Sequence, residues 1–134
     1  MDTTVRVERI RTEPDPYERF RLSLGFRVGD LLFVSGQVAL DPEGEIVGRD
    51  EFDAQAEQTF ANLAGVLEAG GSGLQNVVKV TIFLTDMSNF EKIVELRGRY
   101  FTPPYPADTI VEVSSLALPE LMIEIEAIAV ARGV

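Results

Sequence analysis

The segment from Leu121 to Ala131 constrains the fold more than any other part of the sequence. Through its centre, every second residue is a branched or small apolar residue, and carboxylates stand between them. Because side chains alternate across a strand, this pattern predicts a strand with one buried face and one open face. The buried set comprises Ile123, Ile125, Ala127 and Ala129, and Glu124 and Glu126 lie opposite.

The rest of the chain supplies five more strands and two helices, and the whole chain then has the order β-β-β-α-β-α-β-β. The apolar period changes from two to 3.6 between Asp53 and Ala69. A length of 134 residues fits one domain, so residues 1–134 are assigned to a single α+β unit with both helices on one face of the sheet. The predicted strands cover about residues 5–10, 22–28, 31–40, 77–84, 108–115 and 121–131.

Both helices carry recognisable signals. In the first helix, Ala56, Phe60 and Leu63 stack on one side, and the polar Gln55 falls elsewhere. The second helix opens with Ser88-Asn89-Phe90-Glu91, which has the spacing of a capping box.

The strands also predict which side of the sheet carries the helices. Apolar residues of the segments 77–84 and 108–115 are expected beneath them. The opposite face mixes carboxylates with large apolar groups, which is typical of an association surface. The set expected beneath the helices is Val78, Val80, Ile82, Leu84, Val111 and Val113, and the opposite set includes Phe83, Asp108, Ile110, Glu112, Met122, Ile128 and Val130.

Missing residue types exclude several kinds of chemistry. The sequence contains no Cys, His or Trp, so it has no thiolate nucleophile, no Cys/His zinc site and no His-based triad. We expect no metal and no cofactor, and acid–base chemistry must use Asp, Glu, Lys, Tyr or water. A net charge of −10 repels phosphates, which argues against nucleic-acid and anionic-membrane partners.

The distribution of apolar residues predicts a cytoplasmic protein. The first twenty residues are interrupted by charges and contain no apolar core typical of a secretory signal. No stretch reaches the roughly 20 apolar residues of a membrane span.

Ser35-Gly36-Gln37 is the most suggestive local motif. A glycine inside an apolar strand marks either a β-bulge or the close approach of a ligand, and the sequence leaves both open. Glu124 and Glu126 lie about 6.6 Å apart along one strand face. That spacing is compatible with a catalytic pair but is more typical of a solvated or ion-paired surface.

Several segments, in order, carry a resemblance that covers nearly the whole chain. The most specific of them is the ending at residues 123–129. The segments are Val28–Gln37, Val77–Met87 with Phe90, Tyr100–Phe101, Pro106–Ala107 with Val111–Val113, and Ile123–Ala129. In this pattern the chain resembles the YjgF/RidA family, also called UK114.

The resemblance implies a chorismate-mutase-like α+β fold with a mixed sheet of about six strands. It also implies a homotrimer with three clefts between its subunits. Typical RidA proteins hydrolyse reactive 2-imino and 2-enamino acids to 2-keto acids and ammonia. The resemblance therefore implies a small-molecule ligand as the partner.

Three positions depart from the family pattern. An Arg that grips the substrate carboxylate follows Pro-Ala in typical members, and this position is Asp108 here. An Asp repels a carboxylate that an Arg fork would hold. The usual active-site Tyr aligns with Leu22, and an Asn of the second helix aligns with Val94.

This sequence retains three residues of the family pattern, Ser35, Gly36 and Glu124. The counterpart of Glu124 positions or activates the attacking water, so Glu124 is the expected catalytic residue, and an interface hydrogen bond is its alternative. The residues expected to bind substrate are Ser35, Gly36, Asp108, Ile110 and Leu22. Candidates to replace the missing Arg from a neighbouring subunit are Arg21, Arg27, Lys79 and Arg97, each of which has an ordinary surface charge as its alternative.

Three functions stay open at this point. The first is a divergent Rid-type hydrolase whose substrate is neutral or cationic, because Asp108 replaces the Arg. The second is a non-catalytic ligand-binding or regulatory trimer. The third is a ribonuclease, an activity ascribed to some family members, against which the negative charge and the absence of His argue. We favour the first because Glu124 and the Ser35-Gly36 motif are retained.

Overall fold

The computed structural model describes residues 4–132 and has the predicted α+β architecture. One mixed sheet has the strand order β1-β2-β3-β6-β4-β5, and the β4–β5 pair is parallel while the other pairs are antiparallel. The elements are β1 (Val7–Ile10), β2 (Gly25–Val28), β3 (Leu31–Gln37), α1 (Phe52–Ala69), β4 (Val77–Leu84), α2 (Phe90–Tyr100), β5 (Ala107–Glu112) and β6 (Ile123–Val130).

Both helices lie on the same face of the sheet, as predicted. α1 packs on β3 and β6, and Phe60 on its buried side stacks on Tyr100 of α2 with 4.3 Å between ring centres. Gln55 is also fully buried on α1, so its predicted place away from the core was wrong. No helix within residues 4–132 combines the length and apolar character needed to cross a membrane.

The parallel pairing of β4 with β5 corrects the predicted faces of β5. Asp108 lies opposite Val80, and Ile110 lies opposite Ile82. Val80 and Ile82 are buried beneath the helices, and directly paired residues point to the same side of a sheet. Asp108 and Ile110 therefore lie on the helix side, and Val111 lies on the open face. The prediction failed because Ile110 and Val111 are adjacent apolar residues and leave no clear period.

Smaller corrections concern the ends of the strands. Val78 is 46% exposed because the register of β4 shifts there. Glu112 pairs with Leu84 and so follows Asp108 to the helix side. Met122 precedes β6 and packs against the core, and Val113 follows the end of β5.

The start of α2 also differs from the predicted capping box. The helix begins at Phe90, and the preceding Asn89 makes no side-chain cap. The carboxylate of Asp86 instead accepts a hydrogen bond of 2.9 Å from the backbone N–H of Ser88 in a short 3-10 turn. Asp86 was missed because its turn precedes the helix proper.

The open face of the sheet carries a row of large apolar side chains. Phe26 pairs with Phe33, and Phe33 pairs with Ile128, so the three lie side by side across β2, β3 and β6. Phe26 and Phe33 are each about two-fifths exposed, at 40% and 43%. An apolar row of this kind is typical of a surface that contacts another protein chain.

Candidate active site

A bulge in β3 places a glycine against the carboxylate of Glu124. The pairing of β3 with β6 shifts between Val34 and Gln37, so Ser35 and Gly36 together oppose one residue of β6. A Cβ on Gly36 would lie 2.7 Å from the carboxyl carbon of Glu124. The missing side chain therefore leaves the space that this carboxylate occupies.

Tyr17 is the second polar group at this position. Its hydroxyl donates a hydrogen bond of 2.5 Å to the carbonyl oxygen of Gly36. Burial, followed by the negative charge of Glu124, raises the pKa of Tyr17 well above its usual value, so its phenol stays protonated at neutral pH. Sequence reasoning missed Tyr17 because no periodic pattern marks it and its partners are distant along the chain.

The electrostatics around Glu124 favour proton transfer. Burial raises the pKa of its carboxyl group, and the nearby charge of Glu126 raises it further. Among residues 4–132, no Arg or Lys forms an ion pair with Glu124. A carboxylate with a raised pKa accepts a proton more readily near neutral pH than an ordinary one does.

An apolar pocket of about 320 Å³ adjoins Glu124. Gln55 fixes the segment around Leu121, which lines one side of the pocket. Its side-chain amide donates to Glu120 O at 2.8 Å and accepts from Met122 N at 2.9 Å. Leu22, which the family resemblance predicts to bind substrate, lines this pocket. We call it the Glu124 pocket, and its lining residues are Tyr17, Phe20, Leu22, Gly36, Val38, Leu40, Ala117, Leu118, Leu121 and Glu124.

Asp108 lies elsewhere, in a two-point ion pair with Arg97 of α2. The guanidinium Nε is 2.9 Å from Oδ2 of Asp108, and Nη2 is 3.1 Å from Oδ1. Both residues border a second pocket of about 440 Å³. We call it the Arg97 pocket, and its lining residues are Val94, Arg97, Gly98, Phe101, Tyr105, Pro106 and Asp108.

The two pockets share no lining residue. Glu124 alternates with the buried Ile123 and Ile125, so its side chain leaves the sheet opposite the helices. Asp108 lies on the helix side. One copy of the chain therefore cannot present both groups to one small ligand. In the part of the chain from 4 to 132, no three acidic residues cluster in a way that could hold a metal ion.

The sequence comparisons decide the family. A family model described as Endoribonuclease L-PSP matches residues 11–131. The chain belongs to the endoribonuclease L-PSP family. A RutC family protein of Pyrococcus horikoshii is 43% identical over 123 residues, which cover 91% of this chain and 96% of that protein. The resemblance to YjgF/RidA proteins is thereby confirmed.

Two further members of the L-PSP family bear on fold and role. A chloroplastic protein of Arabidopsis thaliana named Reactive Intermediate Deaminase A is 34% identical over 127 residues, covering 95% of this chain and 67% of that protein. The crystal structure of RidA from an Antarctic Psychrobacter has a TM-score of 0.83 and 37% identity, and covers 92% and 98% of the two chains. These similarities confirm the fold and support a deaminase-type role at the level of the family.

Two predicted site residues of this L-PSP family member lie outside both pockets. The hydroxyl of Ser35 donates to Ser23 O at 2.6 Å and so ties β3 to the segment before β2. Ile110 packs against the core, because β5 turns it to the helix side. The structure therefore brings Glu124, Gly36 and Leu22 together, adds Tyr17, and places Asp108 in the Arg97 pocket.

Proposed function

We propose that this protein is a deaminase-type hydrolase of small imines or enamines, with Glu124 as the group that activates water. The observation that carries the proposal is the carboxylate itself. It lies against Gly36 in an apolar pocket, has no cationic partner among residues 4–132, and has a pKa raised by burial. The family includes a protein named for the deamination of reactive intermediates.

The chemistry needs one proton acceptor and one water molecule. Glu124 takes a proton from water while the water oxygen bonds to the imine carbon, and the C=N electron pair moves to nitrogen. The nitrogen takes the proton from Glu124, which gives the neutral carbinolamine. The carbinolamine then collapses: its hydroxyl proton passes through Glu124 to the nitrogen, the C–N bond breaks, and ammonia leaves as the C=O bond forms. An enamine enters the same sequence after it tautomerises to the imine, gaining a proton at carbon and losing one from nitrogen. General base catalysis of this kind contributes about 10²- to 10⁴-fold.

The proposed active form is a homotrimer with its sites between copies. The apolar row of Phe26, Phe33 and Ile128 supplies a contact surface on the open face. A closed ring of identical copies can bring the Glu124 pocket of one copy to the Arg97 pocket of its neighbour. This arrangement accounts for two pockets that cannot serve one ligand within one copy.

The test is an imine-hydrolysis assay in which an amino-acid oxidase generates 2-iminopropionate in place. Native protein is compared with Glu124→Gln and with the matched control Glu126→Gln, which changes the neighbouring carboxylate on the same face. We expect native turnover that falls at least about 100-fold in Glu124→Gln and changes little in Glu126→Gln.

Two other results would contradict the proposal. Equal activity of Glu124→Gln and the native protein would remove Glu124 from the chemistry. Saturable binding of a metabolite without turnover would favour the non-catalytic ligand-binding alternative, and stabilisation of the protein by that metabolite would reveal it.

A further inference from the structure

A third pocket, of about 220 Å³, lies on the helix side of the sheet, between α1 and the loops that follow β1 and β3. Gln37 faces this side because it pairs with the buried Ile125, whereas the preceding Gly36 contacts Glu124. The pocket is therefore distinct from the Glu124 pocket, although Leu40 lines both. We call it the Asp41 pocket, and its lining includes Glu13, Leu24, Gln37, Asp41, Asn62 and Gly65.

Gln37 gives this pocket a buried polar group with an unused acceptor. The residue is only 2% exposed, and its side-chain nitrogen donates to Ser35 O at 3.0 Å. Within residues 4–132, no group donates a hydrogen bond to its side-chain oxygen. A buried amide oxygen without a partner is unfavourable, so a ligand that donates to it gains binding free energy.

Two carboxylates add further acceptors to the Asp41 pocket. Oδ1 of Asp41 accepts from the backbone N–H groups of Glu43 at 3.0 Å and of Glu45 at 2.9 Å, which holds the carboxylate in place. Its Oδ2 keeps its acceptor capacity. In the part of the chain that the structure describes, neither Asp41 nor Glu13 forms an ion pair. The pocket therefore carries uncompensated negative charge.

Most side-chain donors of the pocket are already used. The hydroxyl of Thr12 donates to Pro14 O at 2.9 Å, and the amide nitrogen of Asn62 donates to two backbone carbonyls after β3 at 2.8 Å each. One side-chain N–H of Gln37 remains, and no Lys or Arg between positions 4 and 132 lines the pocket. An excess of acceptors together with negative charge favours a ligand that donates hydrogen bonds and is positively charged.

The remaining walls indicate an organic ligand. Leu24 and Leu40 are buried apolar residues, and Pro14 and Pro16 add rigid apolar surface. Small-molecule sites typically combine apolar walls with a few polar groups of this kind. No group of three acidic residues within 4–132 is arranged to hold a metal ion, so the fitting cation is an organic one.

We propose that the Asp41 pocket is a second ligand site, which binds a small organic ammonium ion. Its ammonium group, with three N–H donors, donates to the side-chain oxygen of Gln37 and to at least one of the two carboxylates, while its alkyl part contacts the leucine and proline walls. The site goes beyond the proposed function and does not depend on it. Because the pocket lies on the helix side, association through the apolar row of the open face leaves it accessible.

The experiment follows two matched probes by nuclear magnetic resonance titration of the native protein at neutral pH. 3-Methylbutan-1-amine is protonated there, and 3-methylbutan-1-ol has nearly the same shape without the charge. We expect the amine to bind at least about tenfold more tightly than the alcohol, and to shift the amide signals of Gln37, Asn62 and Gly65. Equal affinities, or no binding of the amine, would overturn the proposal.

Asp41→Asn tests the contribution of the charge. Its remaining side-chain oxygen can still accept from the N–H groups of Glu43 and Glu45, so the turn is kept. We expect a loss of about 3- to 10-fold in affinity for the amine and little change for the alcohol. Glu43→Gln removes the same charge from the same turn outside the pocket lining and is the matched control. An equal loss in Glu43→Gln would reduce the effect to general charge attraction and contradict a specific site.

Gly65→Leu tests the location by filling the pocket. A Cβ at this position of α1 has no neighbouring atom within 4 Å, so the variant should fold, and its side chain should occupy the cavity. We expect a loss of at least about tenfold in affinity for both probes. Gly65→Ala makes the same change in the helix backbone without filling the cavity, and should keep most of the affinity. Native affinity in Gly65→Leu would overturn the proposal.

Glu124→Gln distinguishes the Asp41 pocket from the Glu124 pocket, which also offers a carboxylate and apolar walls. We expect this variant to bind the amine as the native protein does. A loss of binding in Glu124→Gln, with native affinity in Asp41→Asn, would assign the amine to the Glu124 pocket and overturn the proposal. Amine binding at Asp41 in a protein that hydrolyses no imine would keep this inference and reject the hydrolase.

Discussion

The Glu124 pocket and the Arg97 pocket each contain a half-buried carboxylate beside apolar walls, yet the two carboxylates have different surroundings. Both oxygens of Asp108 accept from one guanidinium. Glu124 has no cation beside it among residues 4–132, and burial raises its pKa. The comparison teaches that the partner decides the role: a paired carboxylate serves as a fixed counter-ion, whereas an unpaired one in an apolar site can accept a proton.

The largest expected effect concerns the wall of the Glu124 pocket. Gln55→Leu leaves the carbonyl of Glu120 and the N–H of Met122 without their side-chain partner. Each buried group left unpaired costs about 1–3 kcal/mol, so urea unfolding should show a loss of about 2–4 kcal/mol. Gln58→Leu on the same helix is the control, because among residues 4–132 the side chain of Gln58 bonds only to Asn62. A loss as large in Gln58→Leu would contradict the role of Gln55.

The next largest effect is expected on turnover, when the glycine of each pocket is replaced by alanine. Gly36→Ala should fold, because the obstructing group is the end of a flexible side chain, but it should displace the Glu124 carboxylate and lower turnover about 10- to 100-fold. A Cβ added to Gly98, in the Arg97 pocket, would have no neighbouring atom within 4 Å, so Gly98→Ala is the matched control. It should keep turnover and gain about 0.5–1 kcal/mol in stability within α2. Unchanged turnover in Gly36→Ala would show that the position of Glu124 is not critical.

A smaller effect separates the tyrosines of the two pockets. Tyr17→Phe removes the hydroxyl that donates to Gly36, and thermal unfolding should reveal a loss of about 1 kcal/mol. Tyr105→Phe changes a ring that is 55% exposed, so its stability should stay within about 0.5 kcal/mol of the native protein. Equal losses would remove the distinction between the two sites.

The smallest effect is the pH dependence of stability that Glu124 contributes. Its pKa is raised in the folded protein, so the folded state holds this proton more tightly than the unfolded chain. The folded state therefore loses stability as the pH rises from the ordinary glutamate pKa through the raised one. Compared with the native protein, Glu124→Gln should have the same thermal stability at about pH 3 and a higher thermal stability at neutral pH. A higher stability of the variant at acid pH alone would contradict the raised pKa of Glu124.

The sequence predicts those parts of the site that lie on strongly periodic elements. Glu124 was placed on the open side of β6 because Ile123 and Ile125 alternate with it, and the helix positions of Phe60 and Leu63 followed from their spacing. The family resemblance singles out Gly36 and Leu22, and both line the Glu124 pocket.

Tertiary contacts decided what the sequence could not. The register of β5 depends on its pairing with β4, so Asp108 was placed on the wrong face. Tyr17 reaches Gly36 from an irregular segment, and Gln55 is buried because its amide satisfies two backbone groups of a distant loop. The pairing of Arg97 with Asp108 joins a helix to a strand, and no local pattern predicts such a contact.

The most direct test of the account is a subunit-mixing experiment, because its central claim is that the two pockets are halves of one site shared between copies. Glu124→Gln and the double variant Arg97→Gln/Asp108→Asn are unfolded together, refolded as an equimolar mixture, and assayed for imine hydrolysis at low substrate concentration. Random assortment in a closed ring leaves about a quarter of the sites with both native halves. The account therefore predicts recovery of about a quarter of native activity from two weak parents. Activity no higher than the mean of the separately refolded parents would contradict it.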